Sequence, residues 1–272
     1  MVCHGRLQTT LVSSILLTWD IEEYDAPADF GATPLPDGGL SRGVDFWRDW
    51  LALTRTWAGP STAFCTSLIA NAAPELLRET AARGHEIASH GWAHAPSADL
   101  QLRSSRESLE KISGETIHGF RSPRLRNVAP SEVSGAGYAY DSSCNPAWVP
   151  GRYNHRGQPR TPYRIGSLWE VPSSVVPIIR FPLFWASFHI LPLPLYLAAC
   201  RLVLAKDNLL SLYFHPWELS DLSEAELPSW LTRRTKAERV QRMEKLCAWL
   251  CAQGTFRTIA DYLALGKRVT RP

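Results

Sequence analysis

The chain reads as an α/β fold with a largely parallel sheet. Short strand-like runs alternate with helix-like ones from residue 14 onward. Ionisable residues gather directly after the strand-like runs, where open and barrel-shaped α/β sheets carry their sites. A chain of 272 residues exceeds the average domain, yet one α/β barrel routinely reaches about 250.

Each element follows from pattern. SILLTW (14–19) is a buried strand. From Gly43 to Trp57, the residues Val44, Trp47, Trp50, Leu51 and Trp57 recur at helical spacing, and STAFCT (61–66) is the second strand. APELLRETAARG (73–84) is a helix with Pro near its start and Gly at its end. HEIASH (85–90), IHGFR (117–121), YAYDSS (138–143) and SLWEVP (167–172) are further strands, with a polar helix near 98–112. Then come a helix at 195–206, the apolar strand LLSLYF (209–214) and a closing helix at 237–254. Residues 143–167 have no periodicity and read as a loop or excursion. No linker cuts the chain, so one domain is expected over residues 10–266, followed by a basic tail at 267–272.

Composition narrows the function. With 45% hydrophobic residues and 11 Trp the chain is neither disordered nor collagen-like. A net charge of +3 is too balanced for a nucleic-acid footprint. Six Cys without a C-x-x-C pair read as reduced thiols, with Cys247 and Cys251 as buried apolar neighbours on a helix. LVSSILLT (11–18) is broken by two serines and reads as a strand rather than a secretory leader. The uncharged stretch 181–200 is long enough to span a bilayer, but Pro182, Pro192 and Pro194 break it. It is expected to be an apolar loop followed by a buried or surface-lying helix, which suits a cytoplasmic protein, or one peripherally associated with a membrane.

Four clusters carry chemistry. In SHGWAH, His90 and His94 are four apart and can turn both imidazoles onto one cation. Two histidines need a third ligand, and WDIEEYD offers Asp20, Glu22 and Glu23. Asp20 and Glu22 lie on one side of an extended chain, so one can bind a metal while the other takes a proton. Arg121 in FRSP either grips a carboxylate in bidentate fashion or is a rim charge. His215, directly after the 209–214 strand, is either a structural residue or an acid for a leaving amine.

This ordered set resembles the polysaccharide deacetylase family with the NodB-homology domain, carbohydrate esterase family 4, across residues 14–262. PELLRETAARGHEIASHGWAH (74–94) looks like the family's helix, strand and H-[ST]-x-x-H motif, and Thr18-Trp19-Asp20-Ile21-Glu22 is similar to its D-x-[DE] branch. Arg121-Ser122-Pro123 matches the R-x-P motif, and His215 the late histidine motif. The resemblance implies a distorted (β/α) barrel with fewer than eight strands. It implies Asp20 as base, Arg121 as its orienter, and His215 as general acid. Glu22, His90 and His94 would be metal ligands, with Glu23 the rival of Glu22.

Two departures stand out. The D-x-x-D-W motif is absent, leaving Asp141 or Glu170 as the acid to polarise His215, and Gly91 replaces the Ser or Thr after the first metal histidine. The implied activity is hydrolysis of an N-acyl group, foremost N-acetyl, from an amino sugar in a polysaccharide or glycan precursor. The alternatives are a lipid-linked sugar, a non-sugar amide, or a non-catalytic glycan-binding module. The implied cofactor is one divalent ion, zinc first, with cobalt, nickel or iron also suited to such ligands. Trp19, Trp92 and Trp217 lie within the site motifs and Trp148, Trp169 and Trp185 in loops expected at the same rim, where aromatic faces suit sugar rings. Pro123 and Pro216 are expected to stiffen the turns presenting Arg121 and His215.

Overall fold

Strand β1 (Ser13–Ile21) is the centre from which the sheet is built. It pairs in parallel with β10 (Leu209–Phe214) on one edge and with β2 (Thr62–Cys65) on the other, and β11 (Gly254–Phe256) also pairs with it at Ser13–Ile15. The sheet continues through β3 (Glu86–Ser89), β4 (Gly119–Phe120), β5 (Tyr140–Asp141) and β9 (Leu168–Glu170), all parallel, and ends on the antiparallel β8 (Tyr163–Ile165). A small hairpin, β6 (Trp148–Val149) and β7 (Tyr153–Asn154), stands apart. The computed structural model describes residues 12–265 except 58, 151–152 and 224, so the tail 267–272 lies outside it.

The sheet curls into a distorted (β/α) barrel whose last side lacks a ladder. There the chain beyond β9 meets β10 through Ser174, whose N–H donates to the Ser211 carbonyl (2.9 Å) and whose Oγ accepts from the Ser211 N–H (2.9 Å). The hydroxyl stands in for a strand partner at an otherwise open edge.

Alternation along β1 sorts its side chains into two layers. Ile15, Leu17, Trp19 and Ile21 face the outer core, against α1 (Leu40–Thr54), α2 (Ser67–Ala72), α3 (Pro74–Ala82) and α4 (Leu102–Ser113). Leu16 faces inward to Phe64, Ala88, Tyr140 and Val171, and Asp20 lies on that same inner side nearer the rim. Burial on both faces explains why β1 reads as a continuous apolar run. After α5 (Pro130–Gly135), the second half adds α6 (Trp185–Ile190), α7 (Leu193–Asp207), α8 (Ser229–Thr232), α9 (Lys236–Cys251) and α10 (Ile259–Tyr262). The Thr235–Glu238 capping box starts α9.

Register brings the strand ends into one row. Ile21 pairs with Cys65, Cys65 with Ser89, Ser89 with Phe120, Phe120 with Asp141, and Asp141 with Glu170. Trp19 opposite Phe214 brings Asp20 level with His215. Residues immediately after the strands therefore share one rim.

Every strand and helix expected from pattern is present, several of them shorter. The 143–167 excursion is not wholly irregular, since it contains β6, β7 and β8; their two- and three-residue strands are too short for periodicity to show. Cys251 is exposed rather than buried beside Cys247, because α9 turns only Cys247 to the core. Among the described residues no helix is long and apolar enough to cross a membrane; the 181–200 stretch divides into α6 and the start of α7 at Leu191-Pro192.

Candidate active site

The rim converges on a cleft of about 390 Å³ whose floor holds Asp20, Glu22, His90, His94 and His215. Glu22 Oε2 lies 3.2 Å from His90 Nε2 and 3.2 Å from His94 Nε2, and all three residues are buried. His90 Nδ1 is 2.8 Å from the Arg121 carbonyl, which can only accept, so Nδ1 carries the proton and Nε2 presents a lone pair. His94 Nδ1 lies 2.6 Å from Asp25 Oδ1, with the same consequence. Two imidazole lone pairs thus face a buried carboxylate oxygen that has no hydrogen-bond partner. Such a convergence of acceptors is repulsive unless a cation joins them, and the donor set suits a divalent transition metal. Burial, only partly opposed by His94, pushes the Glu22 carboxyl up to about 8 without a cation.

Asp25 went unremarked in the sequence although it stands within WDIEEYD. It orients His94 and is itself held by Arg124 (3.2 Å), which also pairs with Asp29 (2.9 Å) and donates to the His94 carbonyl. Burial opposes ionisation of Asp25, but His94 and Arg124 outweigh it and hold its pKa below the ordinary value. A carboxylate behind a ligating histidine fixes its tautomer and raises its basicity. Glu23, the rival of Glu22, is turned to Thr66, which donates to it from the N-cap of α2 (2.9 Å).

Arg121 is wholly buried, with every arm occupied. Nη1 donates to Asp20 Oδ1 (2.7 Å) and Thr18 Oγ1 (2.9 Å), Nε to the Ser142 carbonyl (3.0 Å), and Nη2 to Ser142 Oγ (3.0 Å). The guanidinium lies over Phe64 (4.1 Å) and Tyr213 (5.2 Å). Burial raises the Asp20 carboxyl, but Arg121, His90 and His215 together hold it below the usual range. Asp20 is therefore ionised at neutral pH.

His215 Nε2 lies 3.8 Å from Asp20 Oδ2 and 3.8 Å from Glu22 Oε1. Its ring stacks on Trp217 (5.2 Å) and takes the edge of Trp185 (5.6 Å). Burial, with Asp20 only partly opposing it, pushes its pKa down to about 3, so the imidazole is neutral at rest. The acid beside it is neither Asp141 nor Glu170. It is Glu218 of HPWE, whose Oε1 accepts from His215 Nδ1 (2.8 Å) and the His215 N–H (2.6 Å), while Oε2 meets His189 Nε2 (2.8 Å). Asp141 and Glu170 sit across from each other on β5 and β9, bonded to Ser143 and to the Cys144 N–H. Those two carboxyls are turned to the backbone and hydroxyl of the loop after β5; Glu218 reaches the ring because the turn Pro216–Leu219 folds it back onto His215.

The expected aromatic rim is partly different. Trp217 and Trp185 line the cleft with Phe184, Tyr213, Tyr153 and Phe30. Trp19 is instead in the outer core against Trp50 and Trp57, because alternation turns it away from Asp20. Trp92, Trp148 and Trp169 are not among the lining residues; Trp148 and Trp169 lie under Arg156 and Arg164. Pro123 does not line the cleft either, and it backs Gly91, which has φ +76°. That left-handed conformation, and a Leu100 methyl 3.1 Å from where a Cβ would stand, explain the glycine. Its carbonyl accepts from Ser105 Oγ (2.9 Å) and the Ser67 N–H (3.0 Å).

Residues 13–138 match the family model described as polysaccharide deacetylase. Over that first half the chain is similar to the polysaccharide deacetylase family. Residues 142–264 match a second model, described as a domain of unknown function (DUF3473), and that half carries His215 and Glu218. The fold of the chain is shared with solved structures. One, from Mycobacterium smegmatis and assigned as a polysaccharide deacetylase, is 20% identical with a TM-score of 0.57, covering 95% of this chain and 94% of that one. The Puue allantoinase is 17% identical with a TM-score of 0.59, covering 91% and 88%. A Pseudomonas aeruginosa PAO1 protein assigned as a polysaccharide deacetylase is 15% identical with a TM-score of 0.57, covering 89% and 86%. No curated protein matches the chain by sequence.

Proposed function

We propose that this chain is a member of the polysaccharide deacetylase family and a metal-dependent hydrolase that removes an N-acetyl group from an amino sugar. The observation that carries this reading is the set of three unshared lone pairs from Glu22, His90 and His94, within reach of a salt-bridged Asp20 and a buried His215. Glu22, His90 and His94 would hold a divalent ion, which when bound would act as a Lewis acid and lower the pKa of water from about 15.7 toward about 7. Asp20, kept ionised by Arg121, accepts a proton from the attacking water as its oxygen bonds to the acyl carbon. His215 is neutral at rest, so it must gain that proton before passing it to the nitrogen as the C–N bond breaks. Glu218 behind Nδ1 holds the ring in the tautomer that leaves Nε2 facing the reaction, and stabilises the imidazolium that forms. Water thereby divides into the hydroxyl of acetate and the hydrogen of the free amine.

The aromatic faces of Trp185, Trp217, Tyr213 and Tyr153 around the cleft support a sugar ring as substrate. The test is metal analysis joined to acetate release from N-acetylglucosamine oligomers, with allantoin as the ring-amide comparison. Stoichiometric divalent metal, with acetate release abolished by chelation and restored by zinc or cobalt, is the expected result. A protein that binds no divalent metal would instead be a glycan-binding module, and turnover of allantoin alone would reassign the amide.

A further inference from the structure

The second half of the chain carries an apolar surface that neither the core nor the cleft uses. Helix α7 buries Tyr196, Cys200, Val203 and Leu204. Its opposite face presents Leu195 (59% exposed) and Leu202 (58%), seven residues apart and hence on one stripe, with the exposed Ala198 and Ala205 between and beyond them. Ile190 at the end of α6 is 49% exposed next to the start of this stripe. A second protrusion lies at the hairpin closed by Val175 and Pro182, whose tip exposes Ile178 (93%) and Ile179 (71%). The segment 158–160 ties the two together: Arg180 Nη1 donates to the Gln158 carbonyl (2.8 Å), and Arg160 pairs with Asp207 at the far end of α7.

Charge within the segment that forms this surface has one sign. From Val171 to Lys206 there is no Asp or Glu, while Arg180, Arg201 and Lys206 stand among the aliphatic residues. The next acid, Asp207, is already taken by Arg160. The core of a protein–protein interface is depleted of charge, whereas cations interleaved with singly protruding aliphatic side chains suit the surface of an anionic bilayer.

We propose that the outer face of α7 and the 176–181 hairpin dock this protein onto an anionic lipid bilayer. Leu195, Leu202, Ile178 and Ile179 enter the boundary between headgroups and acyl chains, and Arg180, Arg201 and Lys206 meet the phosphates. The docked face borders the cleft: Trp185, at the start of α6, lines it, and Ile190 follows about 7.5 Å further along the helix. A substrate displayed at a membrane surface is thus within reach of the mouth. The docking itself does not depend on which amide is hydrolysed.

The test is flotation of the full chain with vesicles of phosphatidylcholine containing phosphatidylglycerol, against vesicles of phosphatidylcholine alone. The wild type is expected to float with the anionic vesicles, less so as salt is raised. The Leu195→Glu/Leu202→Glu variant should lose about tenfold or more in partition, since losing even one leucine from an apolar phase changes partition by roughly that factor. Ile178→Asp/Ile179→Asp should act in the same direction, and both variants should keep the wild-type melting temperature because the residues are exposed. Failure of the wild type to float, or wild-type flotation of both variants, overturns the proposal. So does a wild-type dimer in sedimentation that Leu195→Glu/Leu202→Glu splits without any lipid effect, which would make a second copy the occupant.

Discussion

Glu218 offers a direct test of how the second half of the chain serves the site. Glu218→Gln keeps the shape of the side chain, and its amide oxygen can still accept, but the carboxyl behind His215 Nδ1, which burial holds well above the usual carboxylate range until the neighbouring imidazolium forms, can no longer ionise. That carboxyl holds the ring through a 2.8 Å contact and the backbone through one of 2.6 Å. A hydrogen bond to a charged group contributes about 1.5–3 kcal/mol, and the bond to Nδ1 becomes such a bond when His215 is protonated during turnover. Losing it from the transition state alone should lower kcat by roughly 10- to 150-fold with KM little changed. Glu218 does not touch Glu22, His90 or His94, so metal content should stay at the wild-type level. The assay is steady-state acetate release, with metal analysis on the same sample. Wild-type kcat in Glu218→Gln, or a loss of rate that follows a loss of metal, would refute the reasoning. Asp141→Asn and Glu170→Gln should leave kcat within a few-fold, since neither acid reaches His215.

Three other outcomes are expected. Asp25→Asn should weaken metal affinity by about 10- to 100-fold, measured by competition with a chromogenic chelator, because it removes the charge that orients His94. Burial pushes Asp141 up to about 6, so the folded state binds its proton more tightly than the unfolded state does and stability falls as pH rises from about 4 to 6. Asp141→Asn should therefore be more stable relative to wild type at pH 8 than at pH 4 in urea titrations; an equal difference at both values would contradict the assigned cause. Gly91→Ser, which restores the residue type of the related motif, should destabilise by about 1–2 kcal/mol through its positive φ, visible as a lowered Tm.

The pairing of Asp20 with Glu22 was legible because strand alternation is local, and the His90–His94 spacing because both belong to one short loop. The alternation of elements likewise announced a parallel sheet. Long-range choices were not legible. Glu23 stands next to Glu22 in sequence, and only the approach of Thr66 from α2 turns it away. Asp25 and Glu218 were both inside motifs already singled out, yet nothing in their spacing tells which acid lies behind which histidine. Trp19 and Trp217 look alike in their motifs, but one follows a strand's outward alternation and the other a tight turn into the cleft.

The tryptophans show the same division. By itself the sequence determined the element types, the two-sided burial of β1, and a metal-capable set of side chains, because hydrophobic period and ligand chemistry are properties of neighbouring residues. Only the tertiary structure decided which carboxylates back His94 and His215, which tryptophans wall the cleft, and how the barrel closes at Ser174. Those outcomes depend on the register that brings strand ends from distant parts of the chain onto one rim, and register is set by packing of the whole sheet.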